Sequence, residues 1–458
     1  MINSCPECFE KQREIDELSE EVNRLKVKLG VQERKQEEGA FGSSTPSSKV
    51  PIKANTPAVE KKKPGAKAGH QGNGRKKFTE ADADRVIEVQ VEHERCQECG
   101  GLLDNKGMDE RMVLDCHPIK PEKILYRLPK RYCPHCRNTV RSAAPGVLPK
   151  SLFGNQLIAN AVAAHYQHGL PMGRICEQIG IGAGSLVEIF HKLARLFRQV
   201  PDRLIDEYRQ AAVKHADETS WRTNGKNGYV WLFATSNLSI FQFGKNRSAA
   251  VPKPIFGTEK LPGVLVVDRY NAYNNVPCEI QYCYAHLLRE VSDLEKDFPD
   301  DPEIRTFVAT TAPLLSLAMG LRSQDITDAK FLEKAAKLQS DIMAVMESPA
   351  RHSGIRHIQD IFRENQTRLY HWAKDRQIPA DNNLAERDLR PSVIARKVSF
   401  GSVTDAGAQT RSTLTTLVVT LKKRGYNVTA HLKWVLDQMA KNIHQDPFPL
   451  LSPKSASP

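Results

Sequence analysis

Two aspartates and a glutamate have the types and surroundings to do chemistry together. Asp217 closes the run "AAVKHADE" and Asp268 closes "GVLVVD", each at the end of a strand-like stretch, where α/β sheets gather ligands. Glu386 lies in "IPADNNLAERDLRP", residues 378–391. Wound as a helix from Asn382 to Arg390, this stretch sets Asn382, Asn383, Glu386, Arg387 and Arg390 on one arc. Leu384, Ala385 and Leu389 fall opposite. Asp381 suits the N-cap, and Pro391 biases the chain to leave the helix after Arg390. An isolated strand-end aspartate is more often a turn former, and an exposed polar arc is more often a solvated surface. A set of three in a basic chain points further. Hard carboxylate oxygens hold Mg²⁺ or Mn²⁺ and leave positions for water and phosphate. Two such ions activate an attacking hydroxyl and stabilise the leaving oxygen in an in-line displacement at phosphorus. Neighbouring cations keep a carboxylate ionised and contact phosphate, a role open to Arg387, Arg390, Arg396 and Lys397, with the neutral amide of Asn382 as a further polar contact.

Cysteines supply a second chemistry. Cys96 and Cys99 in "CQEC" and Cys133 and Cys136 in "CPHC" form two Cys-x-x-Cys pairs. Four thiolates from two knuckles suit a structural, tetrahedral zinc that has no position left for substrate. The segment "KILYRLPKRY" between the pairs alternates like a strand. Cys116 and His117 read as bystanders, and the lone "CPEC" of Cys5 and Cys8 has no second pair nearby.

The elements that must position these groups follow from composition and periodicity. The chain has 458 residues, a net charge of +12 and ten cysteines. That length predicts three domains or more. Residues 41–80 hold nine Lys or Arg against two Glu, so seven of the twelve excess charges sit there. A polyanionic partner, nucleic acid first, is the expectation, with a solubilising linker as the alternative. No apolar run approaches the ~20 residues needed to cross a bilayer. The start lacks a basic n-region followed by an apolar stretch, which predicts a cytoplasmic chain with reduced thiols. Ile15, Leu18, Val22, Leu25 and Leu29 take a and d positions of a short coiled coil, which predicts self-association. Residues 155–200 read as helices, and "RICEQIGIGAGSLVEIF" has the helix, glycine turn, helix grammar of a DNA-binding pair. Its second helix is rather apolar for reading bases, so a purely structural pair stands beside that reading. After Asp206 the pattern predicts three antiparallel strands, a helix at 246–256, a parallel strand ending at Asp268, and a short strand running into a helix. Residues 300–377 read as a helical insertion. Two final helices meet at "KKRGYN", with Gly425 in a C′ position.

"ADETSWR", "VVDRYNAYN", "CYAHLLRE" and above all "NNLAERDLRPSVIARKVSFGS" resemble the insertion sequence 66 family of DDE transposases. The resemblance covers nearly the whole chain and implies a multidomain α/β protein. Its organisation would be coiled coil 1–38, basic linker 39–80, zinc ribbon 88–145, helix-turn-helix-like region 150–202, ribonuclease-H-like catalytic core 208–400 with the insertion at 300–377, and C-terminal helices and tail 401–458. It implies that Asp217, Asp268 and Glu386 are the catalytic triad around divalent metals. DNA is the implied partner, with accessory proteins of the same element. Arg269 replaces a common glycine, and "CYAH" replaces the more usual "CWAH". Glu218, Asp381 and Asp388 are competing acids, and His286 is a candidate to approach the metals. Against a transposase stand a zinc-ribbon DNA binder with a silent core and a nuclease without strand transfer.

Overall fold

Among the described residues, the longest strand owes its length to an Asn-Gly turn. In the computed structural model, β3 (Val213–Thr223) and β4 (Lys226–Ala234) are joined by Asn224 and Gly225. Both have positive φ, 52° and 70°, the backbone of the two-residue hairpin turn that matches strand twist. The strand therefore runs six residues beyond Asp217 instead of ending there as expected. Residues 121–451 are described except 133, 134, 136–138 and 142, together with Leu18, Glu21, Val22 and Leu25.

Among the described residues from 121 onward, the sheet is preceded by a hairpin, β1 (Lys130–Tyr132) with β2 (Thr139–Arg141), and by four α-helices, the first running on into a π-helical turn at Ala163–Gln167. The helices are α1 (Asn155–Val162), α2 (Met172–Ile179), α3 (Ala183–Leu196) and α4 (Val200–Gln210). After β4 follow β5 (Ser239–Gly244), α5 (Lys253–Phe256), β6 (Val264–Val267), β7 (Glu279–Tyr282) and α6 (Tyr284–Asp297). The helix expected at 246–256 shrinks to the single turn of α5, preceded by turns; Pro252 and Pro254 have no N–H to donate to a longer helix.

The five-stranded sheet has the order β5-β4-β3-β6-β7, with β3, β4 and β5 antiparallel and β6 and β7 parallel to β3. Between β7 and the Glu386 helix lie α7 (Pro302–Leu321), α8 (Asp328–Glu347), α9 (Ser353–Glu364) and the single turns α10 (Gln366–Leu369) and α11 (His371–Lys374). Then come α12 (Asn383–Ser399), α13 (Asp405–Lys423) and α14 (Val428–Lys441). Contrary to the sequence expectation, α7 is long and apolar enough to span a bilayer by length and composition, with a mean hydropathy of 1.4. It packs instead between α6 and α8, where it buries Ile304, Phe307, Val308, Leu315 and Leu321.

The two sheet faces have different partners. Trp221, Val230, Leu232 and Phe241 pack against Ala385 and Leu389 of α12. On the other face, Ala216, Trp231, Phe233 and Ile240 join one large cluster with α1 to α4, the insertion and α13 to α14. Helices expected in separate regions, 150–202 and 401–458, thus share one core, tied further by His191 Nδ1 to Thr410 Oγ1 at 2.6 Å and Asn155 Nδ2 to Asp437 Oδ1 at 2.8 Å. Gly425 takes φ 80° after α13, the left-handed residue expected there. Leu18, Glu21, Val22 and Leu25 are helical or helix-flanking positions of which Leu18, Val22 and Leu25 are exposed. Ile15 and Leu29 of the expected coiled coil lie outside the described residues.

Candidate active site

Strand register brings the two aspartates together. The parallel ladder pairs Val213, Lys214 and His215 with Val264, Leu265 and Val266. Carried two residues further, it sets Asp217 beside Asp268, where the ladder has ended and the backbones are free to diverge. Side chains alternate along a strand, so His215, Asp217 and Thr219 share the face on which Trp221 meets α12. Asp268 has the parity of Val264 and Val266, which pack on Ile378 just before α12. Glu386, in the first turn of α12, completes the set from above the sheet.

The resulting field is visible in Asp217. Burial first, then the carboxylates of Glu218, Asp268 and Glu386, push its carboxyl well above the usual range, opposed by the Glu218 N–H that donates to its Oδ1 at 2.8 Å. Asp268 Oδ1 accepts the Tyr270 N–H at 3.0 Å. Like charges gathered without a cation disfavour the ionised form, so this donor set fits a divalent ion of hard character.

The helix that carries Glu386 is locked to the sheet by a residue expected to face DNA. Asn382 is 1% exposed. Its Nδ2 donates to Ala216 O at 2.9 Å, its Oδ1 meets His215 Nδ1 at 2.8 Å, and its N–H donates to Cys283 Sγ at 3.1 Å. Burial lowers His215 to about 4, so the ring is neutral near pH 7 and its Nδ1–H is the donor to Asn382. Asn382 is therefore a bolt between β3 and α12, and its expected DNA contact is corrected. Asp381, expected as the N-cap, lies one residue before the actual cap, Asn382, and accepts the Asn383 N–H at 3.0 Å. The helix does not stop at Arg390 either. It continues through Pro391 to Ser399; packing of Ala385, Leu389 and Ser392 outweighs a proline whose interior cost is about 3 kcal/mol.

The remaining candidates divide by face. Arg387, Arg390 and Lys397 are exposed. Arg396 turns inward, donating to Ser220 O at 2.7 Å and Thr219 Oγ1 at 3.3 Å. Asp388 faces away from Glu386, paired with Lys423 and accepting from Ser239 Oγ at 2.6 Å. Glu218 points to the opposite face from Asp217, held by Arg247 and by the Tyr273 hydroxyl at 2.7 Å. The two departures from the motif pattern are absorbed locally. Arg269 pairs with Glu290, and the buried Tyr284 hydroxyl donates to Leu369 O at 2.8 Å.

His286 Nδ1 lies 4.0 Å from Glu386 Oε1 and, although buried, has no hydrogen-bond partner. Cys283 Sγ joins it: among the described residues, ligand atoms of Cys283, His286 and Glu386 lie within 4.8 Å of one another. Asp217 and Asp268 stand outside that closest group. Burial raises the Cys283 thiol to about 11, which keeps the sulfur protonated at neutral pH. Cys283, His215 and Tyr273 were not singled out from sequence, although Cys283 lies in the "CYAH" motif itself. Cys96, Cys99, Cys133 and Cys136 lie outside the described residues, but β1 and β2 form the hairpin that brackets Cys133 and Cys136.

Residues 150–410 match the family model described as Transposase IS66 family. The chain belongs to the IS66 transposase family. Residues 93–137, which contain all four cysteines of the two pairs, match the zinc-finger binding domain of transposase IS66. The uncharacterized protein y4qI of Sinorhizobium fredii is 25% identical over 418 residues, covering 82% of this chain and 77% of its own length. As a member of the IS66 transposase family, the chain is a DNA-binding transposition enzyme with a zinc-finger domain. Its helix pair α2–α3, turned by Gly180 at φ 67°, buries Leu186, Ile189, Phe190 and Leu193. Of the apolar residues ill-suited to reading bases, Leu186, Ile189 and Phe190 face the core, whereas Val187 is exposed.

Proposed function

We propose that this transposase cuts and joins DNA through Asp217, Asp268 and Glu386, acting with Mg²⁺ or Mn²⁺ in a ribonuclease-H-like core. The observation that carries the reading is the convergence of three carboxylates, from β3, the end of β6 and α12, on one sheet face, with Asp217 pushed far from its ordinary ionisation. A sheet with three antiparallel strands followed by two parallel ones supports the core assignment. Divalent cations held there supply activation of a hydroxyl nucleophile and charge stabilisation of the leaving oxygen.

The chain's own residues do the rest. Asn382 and His215 hold α12 at a fixed height over Asp217. His286, 4.0 Å from Glu386 Oε1, is placed to approach the metals. Arg387, Arg390 and Lys397 offer cations to the phosphate backbone. Water attacks phosphorus and releases a 3′ hydroxyl at the element end. That oxygen then attacks a target phosphodiester and displaces the target 3′ oxygen, so no protein–DNA bond forms. The substrates are the element's terminal inverted repeats and a target duplex. Cys96, Cys99, Cys133 and Cys136 hold the structural zinc, the N-terminal heptads pair two copies, accessory proteins of the element assist, and the work is done in the cytoplasm. The regions 1–38, 39–80, 88–145, 150–202, 208–400 and 401–458 carry these tasks in turn.

The test is an assay with DNA flanking this reading frame, including its inverted repeats, and Mg²⁺ or Mn²⁺. Cleavage and joining are expected, and Asp217→Ala, Asp268→Ala and Glu386→Ala are expected to abolish both while DNA binding persists. Full cleavage by Glu386→Ala would overturn the triad. Cleavage without joining would indicate a nuclease, and binding alone a silent core.

A further inference from the structure

The outer face of α12 ends in an exposed aromatic side chain on a strained, rigid mount. Phe400 is 77% exposed. It caps the helix at φ 60°, a region that a bulky non-glycine residue rarely occupies. Such strain persists only where the surroundings over-determine it, and it clusters at functional positions. Here the surroundings are a seam between the helix end and β3. Phe400 N–H donates to Arg396 O at 2.8 Å, Ser402 N–H to Arg222 O at 2.9 Å, and Asn224 N–H to Ser402 O at 2.9 Å. Trp221 Nε1 donates to Ser402 Oγ at 3.1 Å. Gly401 has φ 133°, and a Cβ there would lie 2.1 Å from Arg222 O, so only glycine lets the two backbones meet.

The face leading to Phe400 mixes charge and hydrocarbon in a defined order. Arg387, Arg390, Ile394, Lys397 and Val398 recur at helical spacing and are all exposed. None of the three cations has an ion-pair partner among the described residues. Arg387 and Arg390 form the half nearest Glu386, and Ile394, Lys397 and Val398 form the half that adjoins Phe400. A second copy is a poor occupant. An isologous interface would lay this stripe of like charge against itself. A polyanion with apolar faces between its charges fits both halves.

Resting on the proposed cleavage of DNA at Glu386, we infer that Phe400 is a wedge that enters a base step beside the cleaved phosphodiester, while Arg387, Arg390 and Lys397 hold the flanking phosphates. Proteins that insert apolar side chains between base pairs unstack them and bend the duplex, and exposed aromatics stack on bases of any sequence. A side chain on a backbone already fixed does so with little backbone ordering cost.

Permanganate, which oxidises unstacked thymines, reads this directly on duplexes spanning each end of the element, bound by the full-length chain. The wild-type chain is expected to open thymines at one step near the element end. Phe400→Ala is expected to lower that reactivity by about tenfold with binding retained, and Phe400→Trp to restore it. Cleavage by Phe400→Ala is expected to recover on a duplex carrying an abasic site at that step. Wild-type permanganate reactivity in Phe400→Ala would overturn the wedge. So would a change of oligomeric state on sedimentation with DNA reactivity unaffected, which would assign the face to a second copy. The readout needs no cleavage: Asp217→Ala is expected to open the same thymines, so failure of the wedge and failure of the catalytic triad are separable.

Discussion

At the scale of single residues, the site is governed by the burial of one carboxyl and, after that, by repulsion from its neighbours. Asp217 ordinarily ionises near 3.8, and burial with three neighbouring carboxylates raises it well above that. A carboxyl whose folded value is raised binds more protons when folded than when unfolded. Stability is therefore greatest at low pH for this group and is lost as pH rises through the folded value. Asp217→Asn removes the loss. The substitution is expected to raise the metal-free melting temperature at pH 7 by roughly 2–4 °C for each ~1 kcal/mol of repulsion removed. It is also expected to flatten the pH profile above about pH 4 and to reduce the extra stabilisation seen on adding Mg²⁺ or Mn²⁺. A melting temperature that falls, with metal response intact, would show that Asp217 is not among the crowded ligands. The three candidate acids stood out in the sequence because their types and neighbours were unusual. The bolt at Asn382 was not, because helical periodicity places it on the same arc as Glu386 and says nothing about what lies above that arc.

Elements decide how firmly the glutamate is presented. One helix, α12, carries Glu386 at its start, the basic stripe along its outer face and the aromatic mount at its end. Its seat on the sheet consists of Ala385 and Leu389 against Trp221 and Leu232, plus the Asn382 bonds. Asn382→Ala leaves the Ala216 carbonyl and the His215 Nδ1–H without partners, each worth about 1–3 kcal/mol when buried. We expect a loss of stability of that order on urea titration and a fall in cleavage rate, with DNA affinity unchanged. A drop in affinity that equals the drop in rate would return Asn382 to the role of a DNA contact. The opposite outcome was drawn from sequence for Pro391, which read as a stop. Local preference against α conformation before proline is real, but the buried face on either side of Pro391 keeps the helix intact to Ser399.

For the whole molecule, the sheet and its helices form one interlocked body rather than a string of modules. The helix pair expected to read DNA, the five-stranded sheet and the C-terminal helices contribute to a single cluster of buried side chains. The zinc site is a separate matter. If the four thiolates hold a structural ion, one zinc per chain is expected by metal analysis. Cys96→Ser or a strong chelator is expected to remove it, together with the zinc-finger fold, because structural zinc supplies folding free energy directly. Zinc content near zero in the purified wild-type chain would reject the quartet. Catalysis by the core on a short pre-bound duplex is expected to survive zinc loss better than binding does.

Much of this protein was determined along the chain itself. The Cys-x-x-Cys pairs, the basic stretch at 41–80, the alternation of β4 and β5, and the "NNLAERDLRP" motif are local patterns, and local patterns report local structure and chemistry. The Asn-Gly turn at 224–225 was equally local and shows that β3 continues past Asp217. What only the tertiary structure decided depends on register and on which surfaces meet. The parallel pairing of β3 with β6 set Asp217 beside Asp268, 51 positions apart in the numbering of the chain. The packing of α12 turned Asn382 and Arg396 inward and left Arg387, Arg390, Lys397 and Phe400 outside. Periodicity defines a helix's faces but not their partners. Those are chosen by the burial of Trp221 and Leu389 against each other, a contact between residues with no relation in sequence.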